Sequence, residues 1–258
     1  MTQHLLTNSA ALHSLSKLTC INLMTAWCLI WATATAADNR QAYNGETYRW
    51  LGAIGKLEVP GQRHRDGRTS HYIEDCSATL VGHPGRQSAN TIITAWHCLE
   101  FYSDLSKPIS FTLNPAHDKP IFREAYQLVN GGSMDADWAI LRLYRAIPAG
   151  QVKALNVDTA RANPQRAIIM AGYSRDDGVG AGGQHLSFDP ACLITRQDPT
   201  SSDTNCTAYK GASGGAAIQL SSAGTPLVYG VISQGNGAGL STFIPAQGFS
   251  SAIRQHLK

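Results

Sequence analysis

Charged residues are scarce in this chain, and neither sign dominates. They make up 15% of the 258 residues, and the formal net charge is only +3. So small an excess of positive charge gives no electrostatic basis for nucleic acid or an anionic membrane as a partner. Hydrophobic residues account for 43% of the chain. That fraction is enough to fill a core, so global disorder is excluded as well.

The sequence also lacks the motifs by which common cofactors are bound. It contains no CxxC or HExxH spacing, which argues against zinc. The glycine-rich stretch Gly178–Gly183 follows no βαβ pattern, so it predicts a flexible loop and no nucleotide site. We therefore expect no metal and no organic cofactor.

Residues 1–36 have the pattern of a secretory signal peptide. Lys17 is their only charged residue, an apolar stretch runs from Ile21 to Trp31, and small residues follow at Ala34–Ala36. The alternative is a membrane anchor, but an anchor needs about 20 mostly apolar residues, and polar residues interrupt this stretch. We predict cleavage before Ala37 and export to the medium or the periplasm. Beyond this segment 20 basic and 18 acidic residues remain, a net charge of +2, and no membrane association is expected.

Four of the six cysteines lie beyond the predicted signal peptide. An even number of cysteines in an exported protein predicts disulfide bonds. Three pairings are possible, and the simplest is local, joining Cys76 to Cys98 and Cys192 to Cys206. Each bridge would close a loop of a size for which stabilisation is roughly 3 kcal/mol in the chain-entropy model.

The rest of the chain consists of short β-type segments separated by Gly, Pro, Asn and Asp. Regular short strands without helical patterns between them predict an all-β barrel or sandwich. Only the end favours a helix, because Phe249, Ile253 and Leu257 recur at four-residue steps. A basic run around Arg63–Arg68 is predicted to be a solvated loop. The candidate strands are Leu51–Val59, Ser77–Val81, Thr91–Ala95, Ile109–Leu113, Trp138–Leu143, Ala167–Ala171, Ala216–Leu220 and Leu227–Ser233.

Three segments offer the parts needed to cleave an amide bond, which are a nucleophile, a base and a group that orients the base. His97 follows a predicted strand, beside Cys98. Asp137 directly precedes an apolar strand, although Asp135 lies close enough to be a rival. Ser213 stands among three glycines, whose freedom lets the backbone turn sharply and bring amide N–H groups close to a substrate carbonyl. Each residue alone is more often structural than catalytic.

Together these segments resemble the trypsin-like serine proteases. That family carries a Thr/Ser-Ala-x-His-Cys motif, an Asp-x-Ala motif before two hydrophobic residues, and a Gly-x-Ser-Gly-Gly motif. The resemblance covers the chain from about Leu51 onwards, and it rests on five ordered segments, Cys76–Leu80, Thr94–Cys98, Asp137–Leu141, Gly211–Gly215 and Val231–Gly235.

The resemblance implies a double six-stranded β-barrel over residues 37–258, chymotrypsin-like, with a C-terminal helix and the active site in the cleft between the two barrels. It implies a catalytic triad of His97, Asp137 and Ser213, and an oxyanion hole formed by the amides of Gly211 and Ser213. It also implies that Cys76 pairs with Cys98 and that Ser233 bonds the triad aspartate. The expected function is that of a secreted serine endopeptidase acting on polypeptides as a monomer.

Two departures from the family pattern bear on activation and ancestry. Ala212 stands where animal trypsins have an aspartate that pairs with a freed N-terminus, so the usual zymogen switch cannot operate. The spacing of Cys192 and Cys206 before Ser213 is similar to that of a secreted bacterial branch that includes the glutamyl endopeptidases. One alternative function is a catalytically silent relative that binds peptides. Another is a periplasmic chaperone-protease, but we expect no appended peptide-binding domain in this protein.

The residues that would line the primary specificity pocket carry no matched charge. Trypsins have an acid where this chain has Thr207, and glutamate-specific relatives have a threonine and a histidine where it has Ala208 and Ile232. The resemblance therefore implies a mostly apolar pocket, open past Gly235, for an uncharged side chain of medium size. A glutamate preference through Lys210 is the alternative. The predicted substrate-binding residues are Thr207, Ala208, Lys210, Ile232, Ser233 and Gly235.

Overall fold

The described part of the chain is built almost entirely of β-strands. The computed structural model describes residues 38–103, 106–114 and 119–257, so the predicted signal peptide lies outside the described residues. The strands are β1 (Gln41–Ala42), β2 (Ile54–Arg65), β3 (Arg68–Val81), β4 (Ser88–Thr94), β5 (Ile109–Leu113), β6 (Ile121–Asn130), β7 (Ala139–Pro148), β8 (Asn156–Val157), β9 (Ile168–Gly172), β10 (Ser187–Cys192), β11 (Ile194–Gln197), β12 (Ser202–Thr204), β13 (Ala216–Leu220), β14 (Pro226–Gly235) and β15 (Ser241–Pro245).

In the residues that the structure describes, helical structure is limited to short segments. One α-helix, α1 (Ser250–His256), ends the described chain, as the sequence predicts. The 3₁₀ turns are Arg49–Ala53, Trp96–Leu99, Ala181–Gly183 and Ala246–Phe249. No helix of the described residues is long and apolar enough to cross a membrane.

The first half of the fold is a closed antiparallel barrel with the strand order β2-β3-β4-β7-β6-β5. Strand β5 illustrates why these segments close around a core. Its side chains alternate between buried and half-buried, so that Ile109, Phe111 and Leu113 point inward and are fully buried. This period of two is the one that a strand with one buried face requires.

Strands β2 and β3 extend beyond the barrel as a long hairpin. The tip is formed by Asp66 and Gly67, both with positive φ, and Asp-Gly is a preferred pair for a tight hairpin turn. The prediction of a loop around Arg63–Arg68 is therefore wrong, because the basic residues lie on paired strands. Their side chains are nevertheless exposed.

The second half is a single nine-stranded sheet. Its order is β1-β10-β9-β13-β14-β15-β12-β11, with β8 pairing in parallel to β14. The all-β, chymotrypsin-like fold is thus confirmed, with one closed barrel and a second, half-barrel sheet. Trp138 stacks on Phe249 with ring centroids 4.9 Å apart. The contact joins the start of the strand β7 region to the turn that precedes α1.

Candidate active site

His97 and Asp137 are held together at one end of the first barrel. His97 lies in the 3₁₀ turn that follows β4, and Asp137 lies just before β7. Strands β4 and β7 are paired in the barrel, with Thr94 opposite Ala139. The pairing therefore brings the exit of one strand beside the entrance of the other, which places the two side chains in contact.

The carboxylate of Asp137 is fully buried and accepts three hydrogen bonds. The backbone N–H of His97 donates to Oδ1 at 2.8 Å. The Nδ1 atom of His97 lies 2.8 Å from Oδ2, and the Oγ of Ser233 donates to Oδ2 at 2.5 Å. A buried carboxylate needs such partners, since an unpaired buried charge is costly. Because the carboxylate accepts the Nδ1 proton, the Nε2 atom of neutral His97 is free to accept one.

The Cys76–Cys98 disulfide holds the turn that carries His97. Its Cα atoms are 6.2 Å apart, and it joins the turn to β3. The second disulfide, Cys192–Cys206, has a Cα separation of 5.1 Å and lies in the second sheet. Both predicted pairings are present. The described residues contain two groups of metal-ligand types, but each includes one of these cystine pairs, whose sulfurs are not free as thiolates.

Ser213 is presented by a sharp turn between Lys210 and β13. Gly214 has a φ of 83°, and a Cβ atom there would clash with the backbone oxygen of Ser77 and with the Oγ1 of Thr94. Ser213 is half-buried, and its Oγ donates to the carbonyl of Ser233 at 3.5 Å. No hydrogen bond joins Ser213 to His97 among the described residues.

The backbone before Ser213 leaves two amide groups available. Within the described chain, neither the N–H of Gly211 nor that of Ser213 donates to a protein acceptor. Gly211 has a φ of 96°, and a Cβ atom there would clash with the carbonyl oxygen of Tyr173. Only glycine fits this position without strain.

Ser77 connects the first barrel to this turn. Its backbone N–H donates to the carbonyl of Ser213 at 2.7 Å. Its Oγ donates to the carbonyl of Gly211 at 2.8 Å and accepts the N–H of Tyr173 at 2.8 Å. The sequence motif includes Ser77, but nothing in the motif indicates these contacts.

The predicted specificity residues divide into buried and exposed groups. Those that are buried are Thr207, Ala208, Ile232 and Ser233, and those that are exposed are Lys210 and Gly235.

Past Gly235, where the sequence analysis predicts an open pocket, two backbone segments are in contact. The N–H of Gly237 donates to the carbonyl of Ala208 at 3.1 Å, and a Cβ atom on Gly235 would clash with that carbonyl. The segment Gly235–Gly237 can approach Ala208 this closely because these glycines and the alanine are small.

A buried acid that the sequence reasoning missed lies behind Thr207. The N–H of Thr207 donates to the carboxylate of Asp189 at 3.4 Å, and Asp189 is only 4% exposed. Burial raises the pKa of Asp189, although amide donors from Thr207 and Ala191 lower it in part. Asp189 lies in β10, a strand that the sequence analysis did not predict, so no sequence pattern indicated that this acid is buried behind Thr207.

The comparisons with known proteins agree with this geometry. The sequence model of the trypsin family matches residues 64–253, which is most of the described chain. No curated protein matches the sequence at a significant level. The matched region spans His97, Asp137 and Ser213 together with the strands that carry them. This chain belongs to the trypsin family of serine proteases, which hydrolyse peptide bonds.

Proposed function

We propose that the chain is an exported serine endopeptidase with His97, Asp137 and Ser213 as its catalytic triad. The observation that carries the proposal is the fully buried Asp137 carboxylate, which accepts both the N–H of His97 and its Nδ1 proton at 2.8 Å. This arrangement fixes the tautomer and the ring position that a general base requires. The exposed rival Asp135 has no comparable contacts among the described residues.

In the acylation step, Ser213 attacks the carbonyl carbon of the scissile amide. His97 Nε2 takes the hydroxyl proton and then delivers it to the leaving amine, while Asp137 stabilises the imidazolium. In the second step a water molecule attacks the acyl-enzyme, and His97 accepts its proton and returns it to Ser213. Neither step needs a metal or an organic cofactor.

The oxyanion that forms in each step would be bound by the amides of Gly211 and Ser213. Their N–H groups have no protein acceptor within the described chain, so both can donate to substrate. Removal of one such donor typically slows catalysis by about 10²–10³-fold.

The hydroxyl of Ser213 must turn from the carbonyl of Ser233 towards His97. The existing bond is long, at 3.5 Å, so it is weak and easily given up. Catalytic hydrogen bonds often tighten only when substrate is present. The proposed mechanism therefore requires a rotation of the Ser213 side chain.

For specificity, we propose that the primary pocket takes a small, uncharged side chain. The contact between Ala208 and Gly237 limits the depth of the pocket. An acidic side chain would approach Asp189 behind Thr207, which argues against the glutamate preference through Lys210. Profiling of cleavage sites in a peptide library tests this. A dominant preference for Arg, Lys, Glu or a large aromatic residue at the cut would contradict it.

The two disulfides support an oxidising destination, either the medium or the periplasm, because such bonds persist there. We propose that the mature enzyme is a monomer acting on polypeptides, without a nucleic-acid or membrane partner. The likeness of its cysteine spacing to the glutamyl endopeptidases concerns ancestry, since the pocket residues differ from theirs.

A fluorophosphonate probe separates an active protease from a silent, peptide-binding relative. We expect stoichiometric labelling at Ser213 and cleavage of an unfolded polypeptide. Both are lost in Ser213→Ala, which should fold normally because this half-buried hydroxyl makes only a weak bond. Ser222→Ala is the matched control, because Ser222 is an exposed turn residue and should label as the parent does. Absence of labelling in the parent protein would favour the peptide-binding alternative.

A further inference from the structure

The turn that carries Gly211 lacks the charged anchor of animal trypsins. The residue at that position is Ala212, which is apolar and buried. Instead, two carbonyls of the turn are bonded from outside it. The N–H of Arg175 donates to the carbonyl of Lys210 at 2.7 Å, and Ser77 bonds the carbonyl of Gly211.

The bond from Arg175 controls the direction of a proposed oxyanion donor. In a trans peptide unit the C=O and the N–H point in opposite directions. The carbonyl of Lys210 and the N–H of Gly211 belong to one such unit. When Arg175 fixes the carbonyl, the N–H of Gly211 is aimed the other way, and its direction depends on where Arg175 lies.

The segment around Arg175 is in turn held by Arg40. The guanidinium of Arg40 is buried, with a side chain only 2% exposed, and its Nη1 donates to Asp176 at 2.8 Å. Its Nε and Nη2 donate to Asp38 at 2.9 and 2.7 Å. The chain thus buries one cation against two acids immediately beside Arg175.

Arg40 also supports the turn from its other end. Its guanidinium carbon lies 4.4 Å from the ring centre of Tyr209, a distance suited to a cation–π contact. The same ring lies against Gly237, where a Cβ atom would come within 2.5 Å of it. The N–H of Tyr209 donates to the Oγ of Ser174 at 3.4 Å. Arg40 therefore contacts both segments that set the position of Lys210 and Gly211.

We propose that Arg40 is a positioning residue for the oxyanion hole, acting through Asp176 and Tyr209. It is a side chain and not a freed α-amine, so it can hold the turn without an activating cleavage at the N-terminus. This inference rests on the proposed protease function, since the oxyanion donors belong to that mechanism. In animal trypsins an aspartate at the position of Ala212 holds this turn. Here Arg40, a residue outside the triad, would hold it instead.

The test compares Arg40→Ala with Arg142→Ala. Arg142 is a matched control because it is also a buried arginine, but it bonds Asn90 and the carbonyl of His256, away from the turn. We expect Arg40→Ala to slow fluorophosphonate labelling and to lower kcat by at least about tenfold, while KM changes little, at a temperature where both variants are folded. Arg142→Ala should lose stability but keep its labelling rate.

A second variant guards against misfolding. Arg40→Lys keeps the charge but cannot bond Asp38 and Asp176 through a guanidinium fork, so we expect an intermediate labelling rate and restored folding. Equal labelling of the parent and Arg40→Lys, or an equal loss in Arg142→Ala, would overturn the proposal. If the parent itself did not label, the protease function would fail first, which distinguishes the two failures.

Discussion

The Oγ of Ser77 donates a hydrogen bond to the carbonyl of Gly211 at 2.8 Å, across the boundary between the two halves of the fold. The same atom accepts the N–H of Tyr173. A serine in β3 of the first barrel thus sets the position of a turn in the second half, where the proposed nucleophile lies. One buried hydroxyl satisfies two backbone groups that have no other partner within the described chain.

Ser77→Ala is expected to lower both stability and activity. It leaves a buried carbonyl and a buried N–H without partners, and each such loss costs about 1–3 kcal/mol. Activity should fall because the carbonyl of Gly211 is released. Urea unfolding and steady-state kinetics measure the two effects. The control is Ser70→Ala on the same strand, where the side chain is exposed, and which should change neither. Unchanged kinetics in Ser77→Ala would show that the turn is held without this bond.

Asp137→Asn is expected to reduce kcat by about 10⁴-fold, because the amide favours the wrong tautomer of His97. The fold should persist, since the amide oxygen can still accept the N–H of His97 while the amide NH₂ donates to the Nδ1 of His97 and the Oγ of Ser233. Asp135→Asn is the control two residues away. Asp135 is exposed, so its variant should keep the parent's kcat. The opposite ranking of the two variants would assign the orienting role to Asp135.

Gly211→Ala is expected to abolish activity and to destabilise the protein. The residue has a φ of 96°, and its added methyl group would clash with the carbonyl of Tyr173. Gly224→Ala separates these causes, because Gly224 also has a positive φ, of 75°, but nothing lies within 4 Å of the position of its Cβ. It should cost only the backbone strain, about 1 kcal/mol, and retain activity. Similar losses in both variants would show that positive φ alone, without the clash, explains the defect.

The sequence predicts those parts of the molecule that depend on local pattern. Ile109–Leu113 and Ala216–Leu220 match observed strands end to end, because each is a short β-type segment bounded by turn residues. Strand β10 was missed because Asp189 and Pro190 interrupt its pattern. The ordered motifs identified the residues proposed for the triad, since the family's motifs contain the same His, Asp and Ser.

Contacts between distant segments were not predictable in the same way. Arg40 and Asp176 are 136 residues apart, and nothing in the local pattern of either predicts that they meet. The hydrogen bond between Gly237 and Ala208 also escaped prediction. It depends on how closely the backbones of Ala208 and Gly237 approach, and small residues permit that approach without requiring it.

Acid is expected to weaken the fold through the two carboxylates that bind Arg40. The hydrogen bond from Arg40 lowers the pKa of Asp38. Burial alone would raise the pKa of Asp176, but bonds from Arg40 and from the amide of Gly180 bring it below its ordinary value of 3.8. Both groups therefore stabilise the fold above that value, and the stabilisation is lost as the pH falls through their folded-state pKa values.

The titration of Asp189 changes the stability of the fold with pH in the opposite direction. Burial raises its pKa, so its contribution to stability falls as the pH rises through the range just above 3.8. Comparison of Asp176→Asn with the parent removes this background, because Asp189 titrates in both proteins. We expect Asp176→Asn to be less stable than the parent at about pH 6, and its stability to decline less as the pH is lowered to about 2.

Urea unfolding at intervals across this range measures the effect. The control is Asp177→Asn, because Asp177 is the exposed neighbour of Asp176 and its replacement should leave the parent's pH dependence intact. The curves of Asp176→Asn and the parent should converge at low pH, where the Asp176 carboxyl is protonated and the parent has lost the ion pair as well. Curves that stayed parallel to the lowest pH would mean that Asp176 stabilises the fold without its charge, and that its ion pair with Arg40 contributes nothing measurable.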